Sequence, residues 1–212
     1  MELKDSQTTP QPDRAEERRQ QIMQAALACF ARKGYHKTTM DDIVAESGLS
    51  KGTLYWYFKN KDDLFISLVK SYFLSIGQDI SATLGQDTTA SHKLRVITQE
   101  TVQFFLETKE FFNVFLEFWM LSALNEDLNQ LFSNMLIQYR EVLARVISQG
   151  IEAGEFKPVD AHQLAFPVMA VYDGLAFYAM LMPGEVDIEQ ASQTFIETLL
   201  AGLATDKQEG DQ

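Results

Sequence analysis

Apolar residues recur along this chain at intervals of three and four positions, which is the period of an α-helix with one buried face. In segment 13–32 the buried stripe consists of Ile22, Ala26, Cys29 and Phe30. The same pattern, with its stop signals, predicts further helices over about 39–47, 50–58, 61–84, 91–108, 110–123, 126–153, 160–182 and 187–204. No segment alternates apolar and polar residues as a half-buried strand does. We therefore predict an all-α fold of about nine helices.

Charge is distributed unevenly along the 212 residues. The formal net charge is −12, yet residues 14–61 carry nine basic and five acidic side chains, whereas residues 71–212 carry seven basic and twenty acidic ones. A basic N-terminal module followed by a strongly acidic body suggests that one end of the protein meets a polyanion while the other end repels it.

The single cysteine, Cys29, lies in the apolar stripe of the first helix, so we expect it to be a small core residue. One cysteine excludes a disulfide scaffold and a zinc site built on several thiolates, which indicates a reducing compartment. The N-terminal residues contain no apolar run of the kind that directs secretion. We therefore expect a cytoplasmic protein and predict neither a metal nor a cofactor.

Two short helices joined by a tight turn are predicted between residues 39 and 58. Thr39 and Ser50 each place a hydroxyl where it can cap the free amides at a helix start. The turn between the helices, residues 46–50, contains Gly48. This arrangement is typical of a helix-turn-helix, which binds DNA through its second helix.

That second helix is expected to have one buried face, formed by Leu54 and Phe58, which lie one turn apart. The residues on its other faces are Lys51, Gly52, Thr53, Tyr55 and Trp56. Such aromatic, small and basic side chains fit a surface that lies against a DNA duplex, with hydroxyl and ammonium groups at phosphates and threonine at base edges. Lys61, at the start of the next helix, adds a charge beside free amides that suit another phosphate.

The segment GYHKTTMDDIVAESGLSKGTLYWYFKNKDDLF (34–65) resembles the helix-turn-helix signature of the TetR family of transcriptional regulators, and the match covers about residues 14–73. The resemblance implies a DNA-binding domain over 14–73 and a ligand-binding and dimerisation domain over 74–205, between disordered tails at 1–13 and 206–212. It implies that the third helix enters the major groove. The implied DNA contacts are Ser50, Lys51, Gly52, Thr53, Tyr55, Trp56, Tyr57 and Lys61, with Thr38 or Thr39 near the DNA backbone.

Two of these residues have a second interpretation that the sequence leaves open. Thr39 can serve only as a helix cap, because its hydroxyl stands at a helix start. Tyr57 can pack against the start of the helix instead of contacting DNA.

The resemblance also implies a homodimer through the last two helices, 160–182 and 187–204, which would form a four-helix bundle with their twins. Two helix-turn-helix units about 34 Å apart, one turn of DNA, double the contact and require a near-palindromic operator. The apolar run 164–182 approaches the length of a membrane span. Pro167 and Asp173 interrupt it and no basic residue flanks it, so we predict a buried helix and no membrane.

The middle helices are rich in aromatic residues and methionine, which fill cores and also line apolar ligand pockets. Because members of the family bind small molecules in this domain, the resemblance favours a pocket whose occupation shifts the population away from DNA binding. The predicted ligand-binding residues are Phe104, Phe112, Phe115, Glu117, Trp119, Met135, Tyr139, Phe166, Met169, Tyr172, Asp173 and Phe177.

Two carboxylates, Glu117 and Asp173, lie within apolar runs, where a charge is costly unless it is paired or hydrated. They could await a cationic ligand, with aromatic rings adding cation–π attraction. Segment 111–132 resembles, more loosely, the choline-responsive branch of the family. Glu117 could equally lie on a face that meets solvent.

Two other classes of function compete with this one. An enzyme is disfavoured because the histidines, His36, His92 and His162, stand in no metal-ligand spacing and no nucleophile or nucleotide motif occurs. The remaining alternative is a dimeric DNA-binding regulator with no small-molecule effector, controlled by a partner protein or by its own abundance.

Overall fold

The computed structural model describes residues 14–85 and 87–205, and for residues 73–84 it describes the backbone alone. These residues form nine α-helices: α1 (Arg14–Lys33), α2 (Met40–Ser47), α3 (Lys51–Tyr57), α4 (Lys61–Leu84), α5 (Ala90–Glu107), α6 (Lys109–Ser122), α7 (Glu126–Glu152), α8 (Ala161–Leu181) and α9 (Ile188–Leu203). The predicted all-α fold is confirmed, and each predicted end lies within about one residue of the observed one. The tails predicted at 1–13 and 206–212 lie outside the described residues.

Most of the helices begin where the sequence supplies a capping side chain. In each case an oxygen of the residue before the helix accepts a hydrogen bond from the backbone N–H three positions later. The capping residues are Thr39, Ser50, Thr89, Asn125, Asp160 and Asp187. At α2 the cap is reciprocal, because the Asp42 side chain in turn accepts from the backbone N–H of Thr39.

One apolar core holds α1, α2, α3 and the start of α4 together. Phe30 of α1, Ile43 of α2 and Leu54 of α3 are almost fully buried in it. The core continues into the body, because Phe118 of α6 lies in the same cluster with its ring centre 5.8 Å from that of Phe65 in α4. The N-terminal helices therefore rest directly on α6.

A second core joins α5, α7, α8 and α9. Ile147 of α7 and Ala165 of α8 are fully buried there. Gly150 of α7 allows a close approach, since a Cβ atom at this position would lie 2.2 Å from the Phe156 ring. An antiparallel bridge between Phe156 and Ala204 fixes the end of α9 to the connection between α7 and α8.

Within the described part of the chain, α8 is the one helix whose length and apolar composition would allow it to cross a membrane. Core helices of water-soluble domains meet the same criterion. Helix α8 packs against α7 and α9 and buries Met169 and Tyr172. Its other face leaves Phe166 and Tyr178 exposed.

Candidate nucleic-acid interface and the helical body

Helix α3 is held by its buried face and presents its remaining side chains to solvent. Leu54 and Phe58 anchor it in the core, with 0% and 2% of their surface exposed. On the outer face Tyr55 is 45% exposed and Trp56 is 74% exposed, and Lys51 stands at the first position of the helix. Large aromatic side chains left in water on a well-anchored helix indicate a surface that binds another molecule.

Polar contacts organise the start of α3. The Ser50 hydroxyl accepts from the N–H of Thr53 at 3.1 Å and lies 2.8 Å from the Thr53 hydroxyl. The Lys51 ammonium group pairs with Asp41 of α2 at 2.7 Å, and this hydrogen bond raises the pKa of the lysine. Because both partners are exposed, the ion pair is weak, and an incoming phosphate can replace Asp41 at little cost.

The prediction for Thr38 is wrong as far as its side chain is concerned. Thr38 is only 1% exposed, and its hydroxyl donates to the carbonyl oxygens of Gly34 at 2.8 Å and Cys29 at 3.2 Å. Its side chain is therefore unable to contact DNA. Thr39 is exposed and forms the cap of α2, and its contact with the DNA backbone stays a prediction.

Lys61 has partners among the N-terminal helices, and its contact with a phosphate stays a prediction. Its ammonium group donates to the carbonyl oxygens of Tyr35 at 2.7 Å and Thr38 at 3.0 Å, and lies 4.3 Å from the centre of the Tyr35 ring. The charge that was expected to meet a phosphate is engaged with the loop between α1 and α2. Asn60, which the sequence analysis missed, caps α4 by accepting from the N–H of Asp63 at 2.8 Å.

Tyr57 is half-buried against the N-terminal core, and its ring packs edge-on against Trp56 at 4.6 Å. Packing is therefore one role of this side chain. The DNA contacts of Ser50, Lys51, Gly52, Thr53, Tyr55, Trp56 and Tyr57 remain predictions that the geometry of α3 permits.

Several of the predicted ligand-binding residues come together where α5, α6 and α7 meet. Phe115 lies at the centre, with its ring centre 6.1 Å from Phe112, 5.7 Å from Phe132 and 6.5 Å from Trp119, which is itself half exposed at the edge of the group. Phe104 and Met135 pack against the same core. We name Phe104, Phe112, Phe115, Trp119, Phe132 and Met135 the aromatic cluster.

A second group of predicted residues lies deeper, between α5, α7 and α8. Tyr139 and Tyr172 each meet a threonine of α5: the Thr101 hydroxyl lies 3.1 Å from that of Tyr139, and the Thr98 hydroxyl 2.6 Å from that of Tyr172. Both threonines donate their own protons to carbonyl oxygens of α5, so the tyrosines are the donors. Burial raises the pKa of Tyr172 to about 12. Neither threonine was among the residues predicted from the sequence.

Two predicted residues of α8 lie outside this interior. Phe166 is 61% exposed and Phe177 is 39% exposed, so neither closes a wall of the aromatic cluster in this structure. Asp173 lies on the same side of the helix, with apolar residues one turn away in both directions. Asp173 is exposed as a residue, yet the surrounding protein partly desolvates its carboxyl and raises its pKa to about 6. Met169, by contrast, is buried.

Glu117 lies neither in a ligand pocket nor free in solvent, as the two predictions for it required. Its Oε2 accepts a hydrogen bond from the backbone N–H of Tyr35 at 2.6 Å, and its Oε1 lies beside Gly34. Glu117 thus faces the DNA-binding domain. Nothing in the local sequence around Glu117 indicates a partner 82 positions away.

A cleft of about 680 Å³ lies between α5 and the start of α9. Its lining residues are Thr98, Gln99, Glu100, Val102, Gln103, Phe104 and Glu107 of α5 with Glu189, Gln190, Ser192 and Gln193 of α9. Of the residues that line this cleft, Phe104 alone was also predicted to bind a ligand. The apolar pocket therefore stays a prediction.

In the described ranges no three histidine, cysteine, aspartate or glutamate side chains lie close enough together to hold a metal ion. Cys29 is free and fully buried, and burial raises the pKa of its thiol. A buried, protonated thiol is a core group and a poor nucleophile.

Comparison with known proteins agrees with this arrangement. Residues 22–68 match the family model "Bacterial regulatory proteins, tetR family", and residues 90–204 match "BetI-type transcriptional repressor, C-terminal". The chain is 26% identical over 184 residues to the fatty acid metabolism regulator protein of Bacillus subtilis, covering 86% of this chain and 94% of that protein. It is 25% identical over 207 residues to the HTH-type transcriptional regulator TtgR of Pseudomonas putida, covering 88% and 91%.

Solved structures show the same fold. A regulator from Saccharomonospora viridis in complex with choline superimposes with a TM-score of 0.75 at 24% identity, covering 90% of this chain and all of the other. The fatty acid degradation regulator FadR from Bacillus halodurans gives 0.76 at 22% identity, covering 91% and 97%. The predicted family is confirmed: this chain belongs to the TetR family, and it is a DNA-binding transcriptional regulator and not an enzyme.

Proposed function

We propose that this protein is a homodimeric repressor that places its two α3 helices in the major groove of a near-palindromic operator and leaves it when a small apolar or cationic ligand binds the body. The observation that carries the proposal is the outer face of α3, where Lys51, Tyr55 and Trp56 are exposed on a rigid, capped helix. Such a regulator acts where chromosomal DNA lies, in the cytoplasm.

Each group on α3 has a role in this proposal. Lys51 exchanges Asp41 for a DNA phosphate, and the Tyr55 hydroxyl donates to another phosphate. Gly52 has no side chain to hold the helix away from the DNA. The Thr53 hydroxyl reaches base edges, and Trp56 supplies apolar contact, which suits a thymine methyl group.

The proposed dimer surface is the outer face of α8 and α9. It contains Phe166, Ala170, Gly174, Phe177, Tyr178 and Leu181 of α8 with Thr194, Thr198 and Gly202 of α9. A partner bundle would cover the apolar rings that the single chain leaves in water. The hydroxyls of Thr194 and Thr198 donate to carbonyl oxygens one turn earlier, so their methyl groups are free to pack against a partner.

Two helical glycines support the same surface. A Cβ atom added at Gly174 or Gly202 would meet no atom within 4 Å in the single chain. Glycine inside a helix costs about 1 kcal/mol relative to alanine. Close approach of a partner helix would explain why glycine stands at these two positions. Nothing in the isolated chain explains it.

The proposed effector site is the aromatic cluster, where rings from three helices surround Phe115 and the flexible side chain of Met135 can adapt to a guest. The relatives named above include a regulator of fatty acid metabolism and a regulator in complex with choline, which suggests an acyl chain or a small quaternary cation. Glu117 is bound to Tyr35 and Asp173 lies on the exposed side of α8, so in the aromatic cluster a cation would be attracted by the rings and not by either of these carboxylates.

The DNA-binding part is tested with a duplex selected in vitro for binding to the full-length protein. Lys51→Ala and Tyr55→Ala should each weaken binding at least tenfold, while Lys109→Ala, which removes an exposed lysine of α6, should not. Binding should fall steeply with salt, because phosphate contacts release counterions. Equal affinity in both α3 variants and the wild type would refute the assignment.

The effector part is tested by thermal shift with palmitate, choline and triclosan as probes, followed by competition against the selected duplex. A probe that occupies the body should raise the melting temperature and weaken DNA binding by about 5- to 150-fold. The shift should shrink in Phe115→Leu but persist in Leu124→Ala, a change at an exposed residue. If no probe stabilises the protein or releases DNA, regulation by a partner protein or by abundance becomes the favoured alternative.

A further inference from the structure

We infer that Glu117 is a positioning residue: beside the apolar contact of Phe118, its carboxylate sets the angle at which the DNA-binding domain sits on helix α6 of the body. This inference rests on the proposed function, since the angle matters because two α3 helices must meet two half-sites. Helix α6 would then control DNA binding independently of α4, the continuous helix that runs from the DNA-binding domain into the body.

The contact is built for a carboxylate. Glu117 Oε2 accepts from the N–H of Tyr35 at 2.6 Å, the short length typical of a charged acceptor. Gly34 has a φ of +76°, a conformation that favours glycine, and a Cβ atom there would lie 2.8 Å from Glu117 Oε1. The loop therefore lets the carboxylate approach its backbone where any larger residue would displace it.

The loop that Glu117 contacts is hydrogen-bonded to α4 and leads directly into α2, the two helices on either side of the recognition helix α3 in the chain. Lys61 of α4 donates to the carbonyl oxygens of Tyr35 and Thr38, and the Tyr35 hydroxyl donates to Asp62 of the same helix. The next residue, Thr39, caps α2, which packs against α3. A displacement of Glu117 is thus transmitted to the start of α2 and α4 through hydrogen bonds and not only through apolar packing.

On its other faces α6 belongs to the aromatic cluster. Phe115 and Trp119, two residues before and after Glu117, take part in that cluster, and Phe118 packs on Phe132 at 5.8 Å. One short helix therefore touches both the proposed effector site and the loop of the DNA-binding domain. A shift of α6 that makes room for a ligand moves the Glu117 carboxylate against Gly34 or away from it.

The test compares Glu117→Ala, Glu117→Gln and wild type, with Glu110→Gln as a control that removes an exposed carboxylate from the first turn of the same helix. Three quantities are measured on the full-length dimer. They are the dissociation constant for the selected duplex, the hydrogen exchange of segment 34–38, and the distance between spin labels on Lys59→Cys in the two protomers. Cys29 is buried and stays in place.

Glu117→Ala should weaken duplex binding about tenfold, speed exchange of the Tyr35 amide and broaden the distance distribution. Glu117→Gln keeps an acceptor oxygen without the charge and should restore part of the affinity, and Glu110→Gln should match the wild type. The inference is overturned if Glu117→Ala loses amide protection yet binds the duplex within twofold of the wild type with an unchanged distance distribution. A wild type that binds no duplex would instead count against the proposed function.

Discussion

Replacing Gly174 by leucine should stabilise a monomer but destabilise a dimer. The sign of the change in stability therefore distinguishes the two. Gly174 lies inside α8, and a Cβ atom there would meet nothing within 4 Å in the single chain. If the isolated chain were the functional form, Gly174→Leu would only improve helix formation, by about 1 kcal/mol. For a chain of this size that gain would raise the melting temperature by about 2–4 °C.

In the proposed dimer the same change has the opposite effect. A bulky side chain forced into a packed helix interface costs about 1–3 kcal/mol, and the twofold symmetry applies that cost twice. The gain in helix propensity is present in the helical monomer as well and cancels on dissociation, so the dimer loses about 2–6 kcal/mol, a factor of about thirty to about twenty thousand in its dissociation constant.

Sedimentation at a series of protein concentrations measures this directly. We expect the Gly174→Leu chain to be fully helical by circular dichroism, monomeric at concentrations where the wild type is dimeric, and defective in binding the selected duplex. Met120→Leu, a change at a residue 73% exposed on α6, serves as the control. A leucine variant that stays dimeric with unchanged affinity would remove α8 from the proposed interface.

Two further predictions concern stability. Gly150→Ala places a Cβ atom 2.2 Å from the buried Phe156 ring and should lower the melting temperature by about 3–6 °C, a net loss of about 1–2 kcal/mol measurable by circular dichroism; an unchanged value would mean that the ring moves freely. Asp173→Asn should raise the melting temperature by about 1–2 °C at pH 7.5 and by less at pH 5.

The sign for Asp173 follows from its raised pKa. The folded protein holds the proton up to about pH 6, whereas the unfolded chain releases it near pH 4, so the carboxylate destabilises the fold progressively between these values and fully above pH 6. The shift of about two units sets an upper limit of about 3 kcal/mol, and solvent access reduces the expected gain to roughly 0.5 kcal/mol. A gain independent of pH would contradict this explanation.

Helix boundaries could be predicted from the sequence because their causes are local. The spacing of apolar residues, a capping oxygen such as that of Ser50, and a glycine such as Gly48 act within a few positions, and the structure places α3 where they predict it. The exposed face of α3 follows from the same local pattern.

The larger differences arose where a side chain has a partner far along the chain. Glu117 and Lys61 were expected to serve a ligand and a phosphate, but both bind the backbone of the loop between α1 and α2. Phe166 and Phe177 were assigned to a pocket because periodicity identifies apolar faces without saying whether the chain or a second copy covers them. These choices depend on tertiary and quaternary packing, which spacing alone does not encode.

The central claim is that two α3 helices are held in a fixed register on DNA, and the spacing of the operator tests it most directly. The selected duplex should contain two inverted half-sites separated by about one helical turn, roughly 34 Å, or by a multiple of it. Inserting about five base pairs between them, half of a helical turn, rotates one half-site to the opposite face of the duplex, and we expect the affinity to fall to that of a single half-site. Unchanged affinity after the insertion would contradict the account.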